Sequence, residues 1–237
     1  SGSYGPAKIA HRIVGTANLL LGGAAAPVLE AHIAAGGGRF RGIRMSVAYC
    51  DAGMFGWAAN PEMKGLMTRP AFREGAGVLA SMGLSLDVWC FHRQLPELTQ
   101  LADSLPDLAI VLDHVGTPED RSDETRAEWA ALIRELARRP NVAVKLGGLG
   151  MDITSGIGTN LRGQGSDVLA KLWRPYIETC IAEFGAERAM FESNFPPDND
   201  AGSYGATWNA FKRIAAGCSE DEGDALFRRT AARFYQI

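Results

Sequence analysis

In this 237-residue chain, polar residues stand at the carboxyl ends of short apolar runs: Arg44 in RGIRMS, His92 in VWCFHRQL, His114 in IVLDHVG, Lys145 in VAVKLGG, and Glu192 with Asn194 in MFESNFPPD. An imidazole can take or give a proton near neutral pH, and a carboxylate can act as a base or as the imidazole's partner. The forked guanidinium of Arg44 matches a carboxylate, although a nearby Asp or Glu is an equally ordinary partner for it. Lys145 admits a Schiff-base amine or an ammonium paired with a carboxylate, and the second is favoured because nothing around it in sequence depresses its pKa. For His114, a backbone-bonded strand-end histidine competes with a catalytic one. His92 alone reads as a loop-facing histidine, and Gln94 lies in a turn-forming stretch. Asp198, just beyond Asn194, adds a further carboxyl.

Strand parity sorts these residues, because side chains two apart share a face and adjacent ones do not. If Ile110 and Leu112 fill an interior, His114 ends the same inward column, and Asp113 turns outward unless a bulge intervenes. Glu192 and Asn194 share a face. Asp87, between Leu86 and Val88, reads as a buried structural residue on the face opposite His92. Trp173, Trp208 and Phe211 fall on helical periods and read as core.

The elements that must position these groups are visible in the apolar pattern. Continuous apolar runs over 11–15, 40–47, 84–91, 109–114, 141–146 and 188–192 read as strands buried on both faces, as a parallel sheet requires. Helical periods occupy 27–35, 70–82, 95–104, 123–138, 167–184, 203–216 and 219–232, with Pro27 and Pro70 in first turns and a capping box at Ser219 and Glu222. The alternation predicts an α/β fold, a (β/α) TIM-type barrel with about six of its eight strand-helix units. In such a barrel the aperiodic stretches 48–69 and 148–165 are the loops that build the active site. No linker or repeat divides the chain, so residues 1–237 are expected to form a single domain. A doubly wound sheet is the alternative, but its GxGxxG signature is absent.

Composition narrows the partners. The chain is 46% hydrophobic and 22% charged, and its 24 basic and 27 acidic side chains give a net charge of −3 without a basic run. That argues against nucleic acid and anionic membrane surfaces. The apolar runs look too short to span a bilayer. Cys50, Cys90, Cys180 and Cys218 form no CxxC pair or disulfide framework, from which a reducing, cytoplasmic location is expected.

The stretches DVWCFHRQLPEL, IVLDHVGTP, NVAVKLGGLG and RAMFESNFPPD, in this order and spacing, resemble the amidohydrolase-related family, metal-dependent TIM-barrel hydrolases that include dicarboxylate lactonases and decarboxylases. The resemblance implies that the strands here are the last six of eight, so that the chain, beginning at Ser1, lacks the N-terminal strands. It implies a divalent metal as cofactor, yet the His-x-His pair of the family's first strand is absent. The family's later metal-contacting histidine would map to His114 and its catalytic aspartate to Asn194, an amide that cannot take a proton as a carboxylate does. No metal ligand set is therefore assigned.

The expected activity is hydrolytic opening of a lactone or similar cyclic ester of a small carboxylated compound. His114, Glu192, Asn194 and Asp198 form the catalytic group, and Arg44, His92, Gln94 and Lys145 bind substrate. The alternatives are a metal-dependent non-oxidative decarboxylase and a catalytically silent barrel acting in assembly, and a homo-oligomer is compatible with either. Replacing a strand-end His114 is expected to leave thermal unfolding nearly unchanged.

Overall fold

The computed structural model describes Gly5 and residues 10–51, 60–151 and 162–237; the remainder of the two expected active-site loops, 52–59 and 152–161, lies outside the described residues. Six strands, β1 (Ile13–Gly15), β2 (Phe40–Ser46), β3 (Ser85–Trp89), β4 (Ile110–Leu112), β5 (Val142–Leu146) and β6 (Ala189–Phe191), lie side by side in sequence order. Every neighbouring pair is parallel. Helices α1 (Ala26–Gly36), α2 (Pro70–Ser81), α3 (Leu95–Ser104), α4 (Asp123–Ala137), α5 (Ser166–Phe184) and α6 (Tyr204–Ile214) are interleaved with or follow the strands. This is an incomplete (β/α) barrel. Among the described residues the outer edges of β1 and β6 pair with no strand.

The two faces of the sheet carry different residues. Ile43, Leu86, Val88, Ile110, Leu112, Val144, Leu146 and Phe191 join the main core with Leu79, Leu101, Trp129, Ile133, Trp173 and Phe211 of the helices. Val111, Ala143 and Met190 form a separate cluster on the other, inner face. The expected parity of β4 is therefore reversed: Ile110 and Leu112 face the helices, and Asp113 continues the inner column of Val111. A strand buried on both faces is apolar on both, so its pattern cannot tell inside from outside.

Local capping follows side-chain chemistry. Ser122 accepts from Thr125 N, Ser203 from Ala206 N, and Ser219 forms the expected reciprocal box with Glu222. The last helix is not continuous. It divides into α7 (Glu220–Asp224), a π-helical turn over Ala225–Arg229, and α8 (Thr230–Tyr235). A π-turn inserts a residue and changes which side chains face inwards after it. Here Ala231, Phe234 and Tyr235 pack on the inner-face cluster, so the end of the chain lines the barrel interior.

One apolar stretch was underestimated from sequence. Leu19–Gly36 spans 18 residues at a mean hydropathy of 1.4, long and apolar enough by composition to cross a membrane. In the fold it is a 3₁₀ segment followed by α1, interrupted at Gly22 (φ 57°, ψ −133°), with Leu19, Ala25 and Leu29 in the core.

Candidate active site

The strand register assembles a charged cluster on the inner face. Arg44 of β2 lies opposite Asp87 of β3, and Lys145 of β5 opposite Met190 of β6. Lys145 Nζ is 2.8 Å from both Asp87 Oδ2 and Asp113 Oδ1, and 3.9 Å from Glu192 Oε2. Arg44 Nε pairs with Asp113 Oδ2 at 3.0 Å, and its Nη2 donates to His114 Nε2 at 2.9 Å. His114 Nδ1 meets Glu192 Oε1 at 2.5 Å, and the His114 backbone N–H donates to the same oxygen at 3.2 Å. Three carboxylates, two fixed cations and one imidazole thus form one network.

His114 enters it by a route that parity did not foresee. Beyond Leu112 the backbone leaves the extended form, and His114 (φ 56°) and Val115 (φ 49°) adopt left-handed geometry within the turn His114–Gly116. Non-glycine residues rarely hold that conformation, and it persists where surrounding contacts over-determine it. The turn brings His114 inwards beside Asp113, although the two are adjacent. Gly147 and Gly148 make room for this: a Cβ at Gly148 would lie 2.4 Å from His114 Cγ, and one at Gly147 would lie 2.2 Å from Glu192 O.

The electrostatics follow from these contacts. Burial opposes the charge on Lys145, but Asp113, Glu192 and Asp87 override it and hold the ammonium well above the usual lysine range. Burial also opposes ionisation of Glu192, yet His114, then Lys145 and Arg44, hold its pKa down to about 2. Burial works against a charged His114 while Glu192 and Asp113 outweigh it, so the ring is more basic than usual. Asp87 is lifted by burial and accepts a 2.6 Å hydrogen bond from the Tyr235 hydroxyl.

The other expected site residues are placed differently. Asn194 Nδ2 donates to Asp198 Oδ1 at 2.7 Å, and Gly150 N donates to Asp198 Oδ2 at 3.2 Å. Burial pushes the Asp198 carboxyl up to about 6. His92 is fully buried and faces α4: its Nδ1 accepts from Glu119 N at 3.3 Å, and its Nε2 is 3.6 Å from Glu128 Oε2. Gln94 clamps backbone, accepting from Tyr49 N and Phe91 N and donating to Val47 O. His92 and Gln94 therefore brace the loops behind the cluster.

Sequence reasoning missed Asp113, Asp87 and Tyr235 as members. A usable signal existed: Arg44, Asp87 and Lys145 are charged residues within apolar strands that share one face, whereas Arg41, three positions before Arg44 in β2, falls on the other. Nothing similar announces Tyr235. The cluster opens on a cavity of about 560 Å³ lined by Arg12, Arg44, Asp87, Lys145, Glu192 and Tyr235, among others.

The residues present do not fit a divalent ion. Such an ion needs several donor atoms free to turn towards it. Here both ring nitrogens of His114 are engaged, and each convergent carboxylate is paired with an ammonium or a guanidinium. Among the described residues no group of three or more His, Cys, Asp or Glu is arranged to hold a metal.

Comparison with known proteins agrees with this architecture. The amidohydrolase family profile matches residues 7–237. An uncharacterized protein of Sinorhizobium fredii, y4mH, is 39% identical over 198 residues, covering 84% of this chain and 61% of that one. An L-fucono-1,5-lactonase of Burkholderia multivorans is 34% identical over 175 residues, 70% of this chain and 56% of its own. This chain thus spans 61% and 56% of the lengths of these two relatives. A crystal structure of a Burkholderia multivorans amidohydrolase with bound zinc superposes with a TM-score of 0.78 at 28% identity, covering 96% of this chain and 74% of the other. From its profile, its relatives and its inward-facing strand-end groups, the chain belongs to the amidohydrolase family.

Proposed function

We propose that this protein is a hydrolase that opens a lactone, or a similar cyclic ester, of a small carboxylated compound. The observation that carries the reading is the meeting of Arg44, Lys145 and the His114–Glu192 pair beside one cavity of about 560 Å³. The relatives that are L-fucono-1,5-lactonases, 34% and 29% identical, support the substrate class.

Hydrolysis needs positive charge where the carbonyl oxygen becomes an oxyanion, and a base for the attacking water. Arg44, with a side chain 44% exposed, can turn Nη2 from the imidazole to a substrate oxygen while Nε stays on Asp113. That movement frees His114 Nε2 to accept a proton as water oxygen bonds to the carbonyl carbon. Glu192, ionised and bonded to Nδ1, stabilises the imidazolium that results. The ester C–O bond then breaks, and the ring proton passes to the leaving alkoxide, giving a hydroxy acid. Arg12, at the cavity rim, is a second cation for a substrate carboxylate.

The test is proton release from a panel of 1,4- and 1,5-aldonolactones. Arg44→Ala should slow hydrolysis by roughly 10²-fold. If a folded protein opens no lactone faster than buffer does, or releases carbon dioxide from carboxylated aromatics instead, the reading fails.

A further inference from the structure

The carboxylates of Asp87 in β3, Asp113 after β4 and Glu192 after β6 converge on one place, and Lys145 Nζ of β5 stands there. It is 2.8 Å from the first two and 3.9 Å from the third, and its side chain is only 13% exposed. A structural ion pair would need one carboxylate and no opening. This ammonium faces three and lines the cavity together with Asp87, Glu192 and Arg44. Convergent oxygen donors are what a hard divalent cation ordinarily gathers. Lys145 and Arg44 together supply two positive charges, the same number such an ion would bring.

We infer that Lys145, assisted by Arg44, is a resident cation holding the position of a divalent metal in this cavity, and that removing its ammonium turns Asp87, Asp113 and Glu192 into a metal site. The exchange of ammonium for metal does not depend on the lactonase reading. The physical ground is charge balance. A divalent ion beside a fixed ammonium is repelled at short range in a site of low dielectric. Without the ammonium, three buried carboxylates share one guanidinium, and they must take up protons or another cation. The site is reachable through the cavity that Lys145 lines, which His11, Val14 and Phe191 also line.

The experiment compares the wild-type chain with Lys145→Met and Lys145→Arg, using Mn²⁺ as the probe because the donors are oxygens. Mn²⁺ uptake is read by the loss of the free-ion electron paramagnetic resonance signal, and stabilisation by the shift in thermal unfolding. The wild type and Lys145→Arg should show no saturable uptake and no shift. Lys145→Met should bind about one Mn²⁺ per chain and unfold at higher temperature when it is present. If Lys145→Met does not fold alone, refolding in Mn²⁺ should restore it. Saturable Mn²⁺ uptake by the wild type overturns the inference, as does a Lys145→Met protein that neither binds Mn²⁺ nor is restored by it. Lactone hydrolysis is no part of this readout. An empty lactone panel therefore strikes the proposed activity alone, and wild-type Mn²⁺ uptake strikes the resident-cation inference alone.

Discussion

His114 lies between Glu192, which draws a proton onto the ring, and Arg44, whose donation to Nε2 requires that nitrogen to be bare. Because the pair is buried, truncating the ring strands a carboxylate. His114→Ala should therefore abolish lactone opening and also destabilise the fold by about 1–3 kcal/mol, contrary to the expectation of unchanged unfolding. His114→Asn keeps a donor for Glu192 and should lose about 10²- to 10⁴-fold in rate with a smaller loss of stability, as kinetics beside urea titrations would show. The pH dependence belongs to two carboxyls of opposite sign. Glu192, held at about 2 against an ordinary 4.5, stabilises the fold fully above 4.5, and this is lost as pH falls through 2. Asp198, raised to about 6 from 3.8, contributes fully below 3.8 and loses that contribution as pH rises through 6. Unfolding free energies from urea titrations at pH 4 to 8 should fall more steeply in the wild type than in Asp198→Asn, by up to about 3 kcal/mol across the range. Asn194→Asp would set a carboxylate against Asp198 Oδ1, so the two must share a proton. Arg44, His114, Lys145 and Glu192 were legible as candidates because each ends an apolar run, and the fold brings them into one charged cluster. Asp113 was not, because its membership depends on which face of β4 is the interior.

Among the elements, the six strands could be placed from sequence to within a few residues, since a doubly buried strand is an uninterrupted apolar run bounded by polar residues. The turn after β4 and the division of the last helix could not. Left-handed geometry at His114 and Val115 leaves no mark on residue type, and a π-turn keeps nearly the same apolar period as an α-helix. The loop after β5 is the sharpest test of how elements hold the site. Gly148 has φ +68° and no space for a Cβ beside His114. Gly148→Ala should lower stability by 1 kcal/mol or more, roughly, and displace the ring, so that activity falls further than stability accounts for. Rates measured well below the unfolding temperature separate the two effects. For α8, Tyr235→Phe leaves Asp87 without its phenolic donor and should lower stability by about 1 kcal/mol, read by chemical denaturation.

At the scale of the whole molecule, the open sheet divides into protected and unprotected parts. β2, β3, β4 and β5 are flanked on both sides, whereas β1 and β6 each lack a neighbour among the described strands. Amide hydrogen exchange should be slowest in β2 to β5 and fastest in β1 and β6, and equal protection throughout would show that the edges are covered in solution. The inner lining has a temporal consequence. The Tyr235 hydroxyl closes on Asp87 across 148 positions, and Arg12 Nε meets the Gln236 carbonyl across 224. A growing chain leaves the ribosome from its amino end, so Arg44, Asp87, Asp113 and Lys145 emerge well before Glu192 and Tyr235. During that interval Lys145 and its two aspartates meet without Glu192 or the phenol. Contacts of such span also close slowly, because the chain loses loop entropy before they form. The site is therefore completed only once Glu192 has emerged, and a ribosome stalled before it would hold a nascent chain with most of its sheet but without the partner of His114.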